Sequence, residues 1–315
     1  MKRLLILIIS VIVSVGLLAA CGTGGAGKLG PVSTGSAGAS GAASPTGAAS
    51  SAASSQPSGP AGTAKPTPAP SGTSRQSTAG EVSLQTWFTR QGKLFGSQHG
   101  VPATVSVGRA ALDQLLAGPS SAEYAAGLRS QIPAGTQLLG LTISSRTATV
   151  DLSSSFVSAA SPSAMPLRIA QVVYTLAQFP TVTGVQFKID GQGVTVLGGV
   201  PVQDPQTTAM YDGYLPAITV QNPAIGEQVS SPVTVSGTAD VFEAVVSVRI
   251  LDSAGNQIAR TFSTASCGTG CRGGYSVPVS YSVTREQPGT IEVFESSPMD
   301  GQPVNVQQIP VTLAP

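Results

Sequence analysis

The side chains that could catalyse a reaction are few in this sequence and widely spaced. His99 is its only histidine, and the polar stretch around it predicts an exposed loop. A lone histidine supports zinc binding or nucleophilic catalysis only with particular partners, and no G-x-S-x-G, H-E-x-x-H or S-x-x-K motif is present. Paired carboxylates are the remaining route to glycan hydrolysis. Asp113 on an outer helix face, Asp151 after a strand residue and Asp190 in a turn each have an ordinary structural explanation.

Three aromatic residues, Trp87, Phe88 and Phe95, allow two interpretations. They could form an exposed platform on which sugar rings stack. The more common role of such a cluster at the start of a domain is packing against its helices.

A cysteine directly follows an apolar run near the N-terminus. The run from Leu4 to Leu18 comes after Lys2 and Arg3. The run has about fifteen residues, which are too few to span a bilayer. Residues 1–20 are therefore predicted to be a cleavable signal peptide. Leu18-Ala19-Ala20-Cys21 resembles the lipobox of bacterial lipoproteins. The resemblance implies cleavage before Cys21, acyl chains such as palmitate attached through its thiol, and anchoring on the extracytoplasmic face of the cell membrane. The alternative is an ordinary secretory signal with a chance cysteine.

If Cys21 carries lipid, Cys267 and Cys271 remain as an even pair in an exported domain, where disulfides persist. We therefore expect a disulfide between them, closed by the flexible Gly268-Thr269-Gly270 at a strand-to-strand turn. So short a ring contributes about 2 kcal/mol at most. The alternative, a metal or redox C-x-x-x-C site, lacks a third ligand nearby.

Residues 21–80 are almost entirely Gly, Ala, Ser, Thr and Pro, which predicts a disordered tether after the lipid site. Gly22 to Lys28 matches most of a phosphate-binding loop, but Leu29 replaces the Ser or Thr and no strand precedes it. We therefore predict no nucleotide there, and no other cofactor or metal site. The 16 basic and 15 acidic residues of the chain are nearly balanced, which argues against a nucleic-acid partner.

Residues 81–200 alternate between strand and helix patterns. The predicted helices are Val105–Ala117 and Ala164–Phe179, and the strands centre on Leu84, Leu141, Val150 and Phe187, with a hairpin at Asp190-Gly191. The order βαββαβ with an extra strand predicts an α+β domain with two helices on one face of a sheet.

After a connection at 201–213, residues 214–315 show short alternating strands and no helical stretch. Seven are predicted: Ile218–Val220, Val233–Val235, Val245–Ile250, Ile258–Phe262, Tyr275–Val283, Ile291–Phe294 and Val304–Val311. This spacing is typical of an all-β immunoglobulin-like sandwich.

The first folded region resembles the GerMN domain, named for sporulation and spore-germination proteins. The likeness is carried by Ala111–Pro119 (ALDQLLAGP), Ile132–Leu139 (IPAGTQLL), Ala148–Leu152 (ATVDL) with Phe156, Val173–Pro180 (VYTLAQFP) and Val185–Gly191. The loop expected at Gly96–Pro102 does not align with the family.

The second region resembles the immunoglobulin-like domain that accompanies GerMN in bacterial spore-germination-type proteins. The matching segments are Ile218–Gly226, Val233–Ala239, Phe242–Ala244, Asp252 with Gly255, and Gly289–Glu295. The two resemblances imply an envelope-associated, non-catalytic protein, without implying that its organism forms spores.

Our hypothesis from the sequence is a membrane-anchored binding or scaffold module for envelope proteins or peptidoglycan, with its oligomeric state left open. One alternative is an extracytoplasmic receptor for a soluble ligand, which predicts a pocket between the domains. A cell-wall hydrolase, which predicts two carboxylates converging in a cleft, is another.

Overall fold

The folded region begins with a long hairpin. The computed structural model describes residues 80–159, 161 and 163–315, so the predicted signal peptide, Cys21 and all of the predicted tether except Gly80 lie outside the described residues. β1 (Glu81–Arg90) pairs antiparallel with β2 (Lys93–Pro102). Gln91 and Gly92 join them with φ of 52° and 76°, as a type I′ turn requires. The prediction of a loop at Gly96–Pro102 is therefore wrong, because these residues pair with β1 and form a strand.

Three helices and a four-stranded sheet follow. The helices are α1 (Val107–Ala117), α2 (Ser121–Ala125) and α3 (Ala164–Ala177). The sheet has the order β3 (Leu138–Ser144), β4 (Thr147–Leu152), β5 (Gly184–Ile189) and β6 (Gln192–Gly193). β4 and β5 are parallel and are connected through α3, whereas the other pairs are antiparallel. No helix in the described part of the chain is long and apolar enough to cross a membrane.

α3 is buried on all sides, not along one stripe. Met165 and every residue from Leu167 to Leu176 are buried, including the polar Gln171 and Thr175. The helix contacts both β5 and the β1–β2 hairpin. The hairpin is thus a separate sheet that covers α3, so the single sheet of the predicted arrangement is corrected to two. The free edge of β1 meets side chains of α3 and of Gln178 directly after it, and Thr89 on this edge pairs with the backbone of Arg129.

A short hairpin and an irregular segment connect the two domains. β7 (Val196–Leu197) pairs with β8 (Val200–Pro201), and a 3-10 turn spans Thr208–Tyr214. Between them, Gln206 pairs with Val185 on β5 through two backbone hydrogen bonds of 2.8 and 2.9 Å. The connection is therefore attached to the first domain before the second begins.

The C-terminal domain is a sandwich of two sheets. Its strands are β9 (Ile218–Asn222), β10 (Gln228–Val229), β11 (Val233–Ala239), β12 (Val245–Leu251), β13 (Gln257–Thr264), β14 (Gly273–Val279), β15 (Gln287–Ser296) and β16 (Pro303–Leu313). One sheet has the order β10-β16-β15-β12-β13 and the other β14-β11-β9. Inward residues such as Val235, Val248 and Ile291 are fully buried between them. The predicted fold class, α+β followed by an immunoglobulin-like sandwich, is confirmed.

Candidate functional site

Two of the three cysteines lie in the described structure; Cys21 does not. Cys267 and Cys271 form a disulfide with their Cα atoms 5.6 Å apart, in the loop between β13 and β14. A Cβ at Gly268 would lie 2.6 Å from the backbone nitrogen of Ala244, so this glycine is required for the close approach of the two segments. Within the described residues, no group of three or more His, Cys, Asp or Glu could hold a metal ion. The pair therefore has the geometry of a structural crosslink.

The prediction that His99 lies in an exposed loop is wrong. The residue stands in β2, and its side chain is 13% exposed. Its Nε2 lies 3.2 Å from Oε1 of Glu123, and its ring meets Phe88 edge-on at 6.2 Å. Glu123 also closes a capping box at the start of α2, where its Oε2 accepts the N–H of Ser120 at 2.7 Å. A helix of five residues gives no periodic signal, so the sequence does not reveal this partner.

Hydrogen bonds stabilise the charged form of the Glu123 carboxyl. Burial by itself raises the pKa of this carboxyl, but hydrogen bonds from His99, Ser97 and Ser120 outweigh burial and lower the pKa from 4.5 to about 2. A carboxylate with so low a pKa is a poor proton donor or acceptor near neutral pH. The pair is suited to fixing β2 against α2, not to acid–base catalysis.

Of the three aspartates considered for hydrolysis, two accept backbone hydrogen bonds and the third is exposed. Asp113 is exposed on α1. Oδ1 of Asp151 accepts the N–H of Gly191 at 2.9 Å, and Oδ1 of Asp190 accepts the N–H of Ser154 at 3.1 Å. The structure brings Asp151 and Asp190 to the same end of the parallel pair β4–β5. Each of these two carboxylates is engaged with backbone N–H groups that hold the surrounding turns.

The interpretation of the three aromatic residues as an exposed platform is also wrong, and the alternative, that they pack inside the domain, is confirmed. Trp87, Phe88 and Phe95 are 7%, 0% and 6% exposed. The Trp87 ring lies 4.8 Å from the ring of Tyr174 on α3. Since neighbouring residues of β1 are buried on opposite faces, both faces of this strand are covered, which explains why Trp87 and Phe88 are both buried.

A groove of about 1000 Å³ lies between the tip of the β1–β2 hairpin, the end of α2 and the sandwich. We call it the interdomain groove. Its charged lining residues are Arg90 and Lys93 from the hairpin, Arg249 from β12 and Glu292 from β15, and most of β16 between Pro303 and Pro310 forms another part of its wall. Pockets between domains are common binding sites.

Arg90 is the main cation of the interdomain groove. Its guanidinium carbon lies 4.2 Å from the centre of the Phe95 ring. Nη1 donates to the backbone oxygen of Gln308 at 3.0 Å, and Nη2 donates to Oε1 of Gln307 at 2.7 Å. These acceptors are neutral, and burial lowers the pKa of Arg90 from 12.5 to about 10. The structure thus places a partly desolvated cation at the groove wall without a carboxylate among these hydrogen-bond partners.

The carboxylate of the groove is already occupied. Arg249 donates through Nε and Nη2 to Oε2 of Glu292, both at 2.6 Å. Gln308 donates through Nε2 to Oε1 of Glu292 at 2.8 Å. Lys93 donates to the backbone oxygen of Gly213 at 2.8 Å. Among the lining residues the structure describes, positive charge is therefore in excess.

The connection between the domains is held from both sides. Tyr174 on α3 donates to Oδ1 of Asp212 at 2.5 Å, and Arg272 in the sandwich donates to the backbone oxygen of Pro216 at 2.7 Å. Burial, together with the neighbouring Asp212 carboxylate, raises the pKa of Tyr174 well above its usual 10. The hydroxyl therefore remains a donor at physiological pH, and these two bonds fasten the connection to both domains.

Sequence reasoning did not identify the residues of the interdomain groove. One signal was available: Arg90 and Lys93 flank the Gln91-Gly92 turn, so a hairpin tip with two cations was predictable. The pairing of Arg249 with Glu292 across β12 and β15 was not, because the order of strands in a sheet is set by contacts distant in sequence.

Two family models match the chain, one for each domain. The family of the sporulation and spore germination domain matches residues 79–195, and the immunoglobulin-like domain of bacterial spore germination matches residues 217–302. These matches confirm both resemblances seen in the sequence. No curated protein matches the chain.

Two solved structures are similar to parts of the chain. The first GerMN domain of the sporulation protein GerM from Bacillus subtilis is 25% identical, with 41% of this chain and 98% of that chain covered and a TM-score of 0.37. The tandem GerMN domains of the same protein are 15% identical, with 74% of this chain and 61% of that chain covered and a TM-score of 0.37.

Proposed function

Because the chain contains a GerMN domain followed by the immunoglobulin-like domain of bacterial spore germination, we propose that it is a non-catalytic binding or scaffold protein of the cell envelope. Lipid on Cys21 anchors it to the extracytoplasmic face of the membrane. The residues up to Gly80 act as a tether, and the two domains contact envelope proteins or peptidoglycan. Membership of these families supports a sporulation-type role at the level of the domain; the partners and the anchor are our proposal.

The proposal that the protein is non-catalytic rests on the hydrogen bonds that its candidate acids make. Glu123 caps α2 and pairs with His99, while Asp151 and Asp190 accept backbone N–H groups. Glycan hydrolysis needs a carboxylic acid and a carboxylate free to face the scissile bond. Carboxylates that accept backbone N–H groups stabilise the local fold and are not free to transfer protons to a substrate.

Incubation of the purified chain with peptidoglycan tests this part. We expect the chain to sediment with the polymer and to release no soluble muropeptides. Release of fragments would overturn the non-catalytic proposal. An Asp151→Asn, Asp190→Asn double variant then shows whether these two carboxylates are responsible.

The anchor is tested separately by metabolic labelling with palmitate. We expect label on the wild-type chain and none on Cys21→Ser, because the thiol is the attachment atom. Cys267→Ser with Cys271→Ser is the matched control and should still be labelled. An unmodified, freely diffusing wild-type product would disprove the anchor while leaving the binding role open.

A receptor for a soluble ligand is the second candidate, and the interdomain groove favours it. A groove of about 1000 Å³ is as large as many small-molecule sites. Thermal-shift measurements with envelope-derived sugars and peptides distinguish the two functions. A rise in Tm with a monomeric compound supports the receptor, and the absence of any such rise supports the scaffold.

A further inference from the structure

Two cations at the tip of the β1–β2 hairpin stand side by side in the interdomain groove. Arg90 and Lys93 lie directly opposite each other in the β1–β2 pairing, and both line the groove. Residues that are directly opposite project from the same face of a sheet. Phe95 shares this face, and its ring centre lies 4.2 Å from the Arg90 guanidinium carbon. Like charges in this position destabilise a hairpin, so an anion bound between them would remove a repulsion.

Hydrogen bonds hold the two cations without neutralising them. Arg90 donates to the backbone oxygen of Gln308 and to Oε1 of Gln307, and Lys93 donates to the backbone oxygen of Gly213. These acceptors are neutral. An ammonium group has three N–H donors, so Lys93 has donors left for a ligand after its bond to Gly213. Cations that are held before a ligand arrives lose little conformational entropy on binding.

The carboxylates near these cations are already hydrogen-bonded elsewhere. The charged lining residues that the structure describes are the cations Arg90, Lys93 and Arg249 against Glu292 alone. Glu292 accepts hydrogen bonds from Arg249 and from the side chain of Gln308. The groove therefore has an excess of positive charge, which attracts an anionic ligand.

The shape and the neutral polar groups of the groove indicate which anion fits. A recess suits a narrow chain better than the broad surface of a globular protein. Gln91, Asn305 and Gln307 also line the groove. Side-chain amides both donate and accept hydrogen bonds, so they match the amide groups of a ligand. A ligand that carries carboxylates together with amides therefore complements this lining.

Peptidoglycan is an envelope polymer with both kinds of group, since its stem peptides carry carboxylates and its peptides and N-acetyl sugars carry amides. Wall polymers joined by phosphodiesters are anionic, but their linkages have no amides. The chain's own residues 22–79 contain no Asp or Glu, so they offer no side-chain carboxylate to the groove. Charge and hydrogen bonding together favour peptidoglycan.

We propose that the interdomain groove binds peptidoglycan through a stem-peptide carboxylate, which lies against Arg90 and Lys93. Gln91, Asn305 and Gln307 bind amide groups next to that carboxylate. This inference rests on the proposed binding function and specifies the polymer and the site.

Chemically modified peptidoglycan tests the ligand. The purified full chain in detergent is mixed with increasing amounts of insoluble peptidoglycan, and the unbound chain is measured after sedimentation. Conversion of the carboxylates of the polymer to amides is expected to weaken binding at least about tenfold, because the charged partner of the two cations is lost. Equal binding of amidated and untreated polymer overturns the proposal.

A second preparation separates carboxylates from phosphates as the source of the anion. Hydrofluoric acid cleaves phosphodiesters and so removes phosphate-linked wall polymers from peptidoglycan. We expect the treated polymer to bind as tightly as the untreated one. Loss of binding after this treatment would assign the anion to a phosphate polymer and overturn the choice of peptidoglycan.

Variants of the chain locate the site. Lys93→Gln and Arg90→Gln are each expected to weaken binding to untreated peptidoglycan at least about threefold. Arg285→Gln, which changes an exposed arginine of the sandwich outside the groove lining, is the matched control and should bind like wild type. Lys93 is exposed, so its variant remains informative if Arg90→Gln lowers stability. Unchanged binding by both groove variants overturns the assignment of the site.

Substitutions of opposite charge at Gln91 distinguish electrostatic attraction from a change of structure. Gln91 is exposed between Arg90 and Lys93 in the chain. Gln91→Glu is expected to weaken binding, and Gln91→Lys to strengthen it, each by about twofold to fivefold. A local disturbance of the turn would move both variants in the same direction. That result, or no change in either variant, contradicts the role of the positive charge.

The failure of this inference is distinct from failure of the proposed function. Sedimentation of the wild-type chain with both amidated and untreated peptidoglycan rejects the groove site and keeps the binding role. Release of muropeptides rejects the non-catalytic role whatever the variants show.

Discussion

Nε2 of Gln171, fully buried in α3, donates to the backbone oxygen of Trp87 in β1 at 2.9 Å. The side chains of Thr175 in α3 and of Gln178, which caps the end of α3, also bind the β1 backbone. The N–H of Trp87 donates to Oγ1 of Thr175 at 3.1 Å, and that of Gln85 donates to Oε1 of Gln178 at 2.9 Å. Residues 171, 175 and 178 share one face of the helix. A helix face thus takes the place of a neighbouring strand and allows the hairpin to be buried without a second sheet partner.

Replacement of Gln171 by Leu tests this arrangement. Its Oε1 also accepts the N–H of Gln131 at 2.8 Å, so leucine, of similar size, leaves two backbone groups unpaired, the buried oxygen of Trp87 and the half-buried N–H of Gln131. We expect a loss of about 2–5 kcal/mol in the free energy of unfolding, measured by urea denaturation. Gln186→Leu, at an exposed position on β5, is the control and should change stability by less than about 0.5 kcal/mol. Equal effects of the two substitutions would falsify the bridging role of Gln171.

The lowered pKa of Glu123 predicts that the stability of the protein depends on pH in the acid range. Its pKa in the folded chain, about 2, lies below the ordinary 4.5. A lowered folded pKa stabilises the protein above the unfolded pKa, and this contribution is lost as the pH falls from about 4.5 to about 2. We expect Glu123→Gln, which retains a capping side chain, to remove about 3 kcal/mol of the acid-dependent change.

Urea denaturation between pH 2 and pH 6 measures this difference. Glu243→Gln changes an exposed glutamate and should leave the profile of the wild type. If Glu123→Gln loses stability on acidification as steeply as the wild type does, the carboxylate is not held as the structure indicates.

The parts predicted from sequence are those whose signal is local. Ala148, Val150 and Leu152 alternate because one face of β4 is buried, and the apolar spacing of Ile169, Val172 and Leu176 indicates α3. The sandwich strands have the same kind of alternation, and all seven predicted strands are present.

The parts missed depend on distant partners. Gln98 and His99 are polar, and only pairing with β1 and the Glu123 carboxylate makes a strand of them. Gln171 resembles an ordinary polar position of a helix until the strand it contacts is known. Arg90 and Gln308 are 218 residues apart, so the interdomain groove leaves no pattern in either segment alone.

Gly237 on β11 is predicted to be intolerant of any side chain. A Cβ there would lie 2.0 Å from the backbone oxygen of Thr219 and 2.8 Å from the hydroxyl of Tyr275. Because a backbone atom cannot move aside without disturbing β9, we expect Gly237→Ala to lose at least about 3 kcal/mol of stability. Gly274→Ala, on the paired strand β14, meets no atom closer than 4.0 Å and should be near neutral. A Gly237→Ala chain as stable as Gly274→Ala would show that the two strands are not so closely packed.

The hydrogen bond between Tyr174 and Asp212 is expected to hold the connection between the domains. Its loss should therefore loosen the connection before it affects the rest of the fold. Tyr174→Phe keeps the ring against Trp87 and removes the donor to Asp212. We expect a loss of about 1.5–3 kcal/mol, as for a hydrogen bond to a charged group, and faster amide exchange across Thr208–Tyr214. Tyr124→Phe is the matched control, because Tyr124 is 58% exposed and its ring contact with Arg129 does not need the hydroxyl. Exchange in the connection that is unchanged by Tyr174→Phe would mean that the backbone pairing of Gln206 with Val185 holds the connection without this bond.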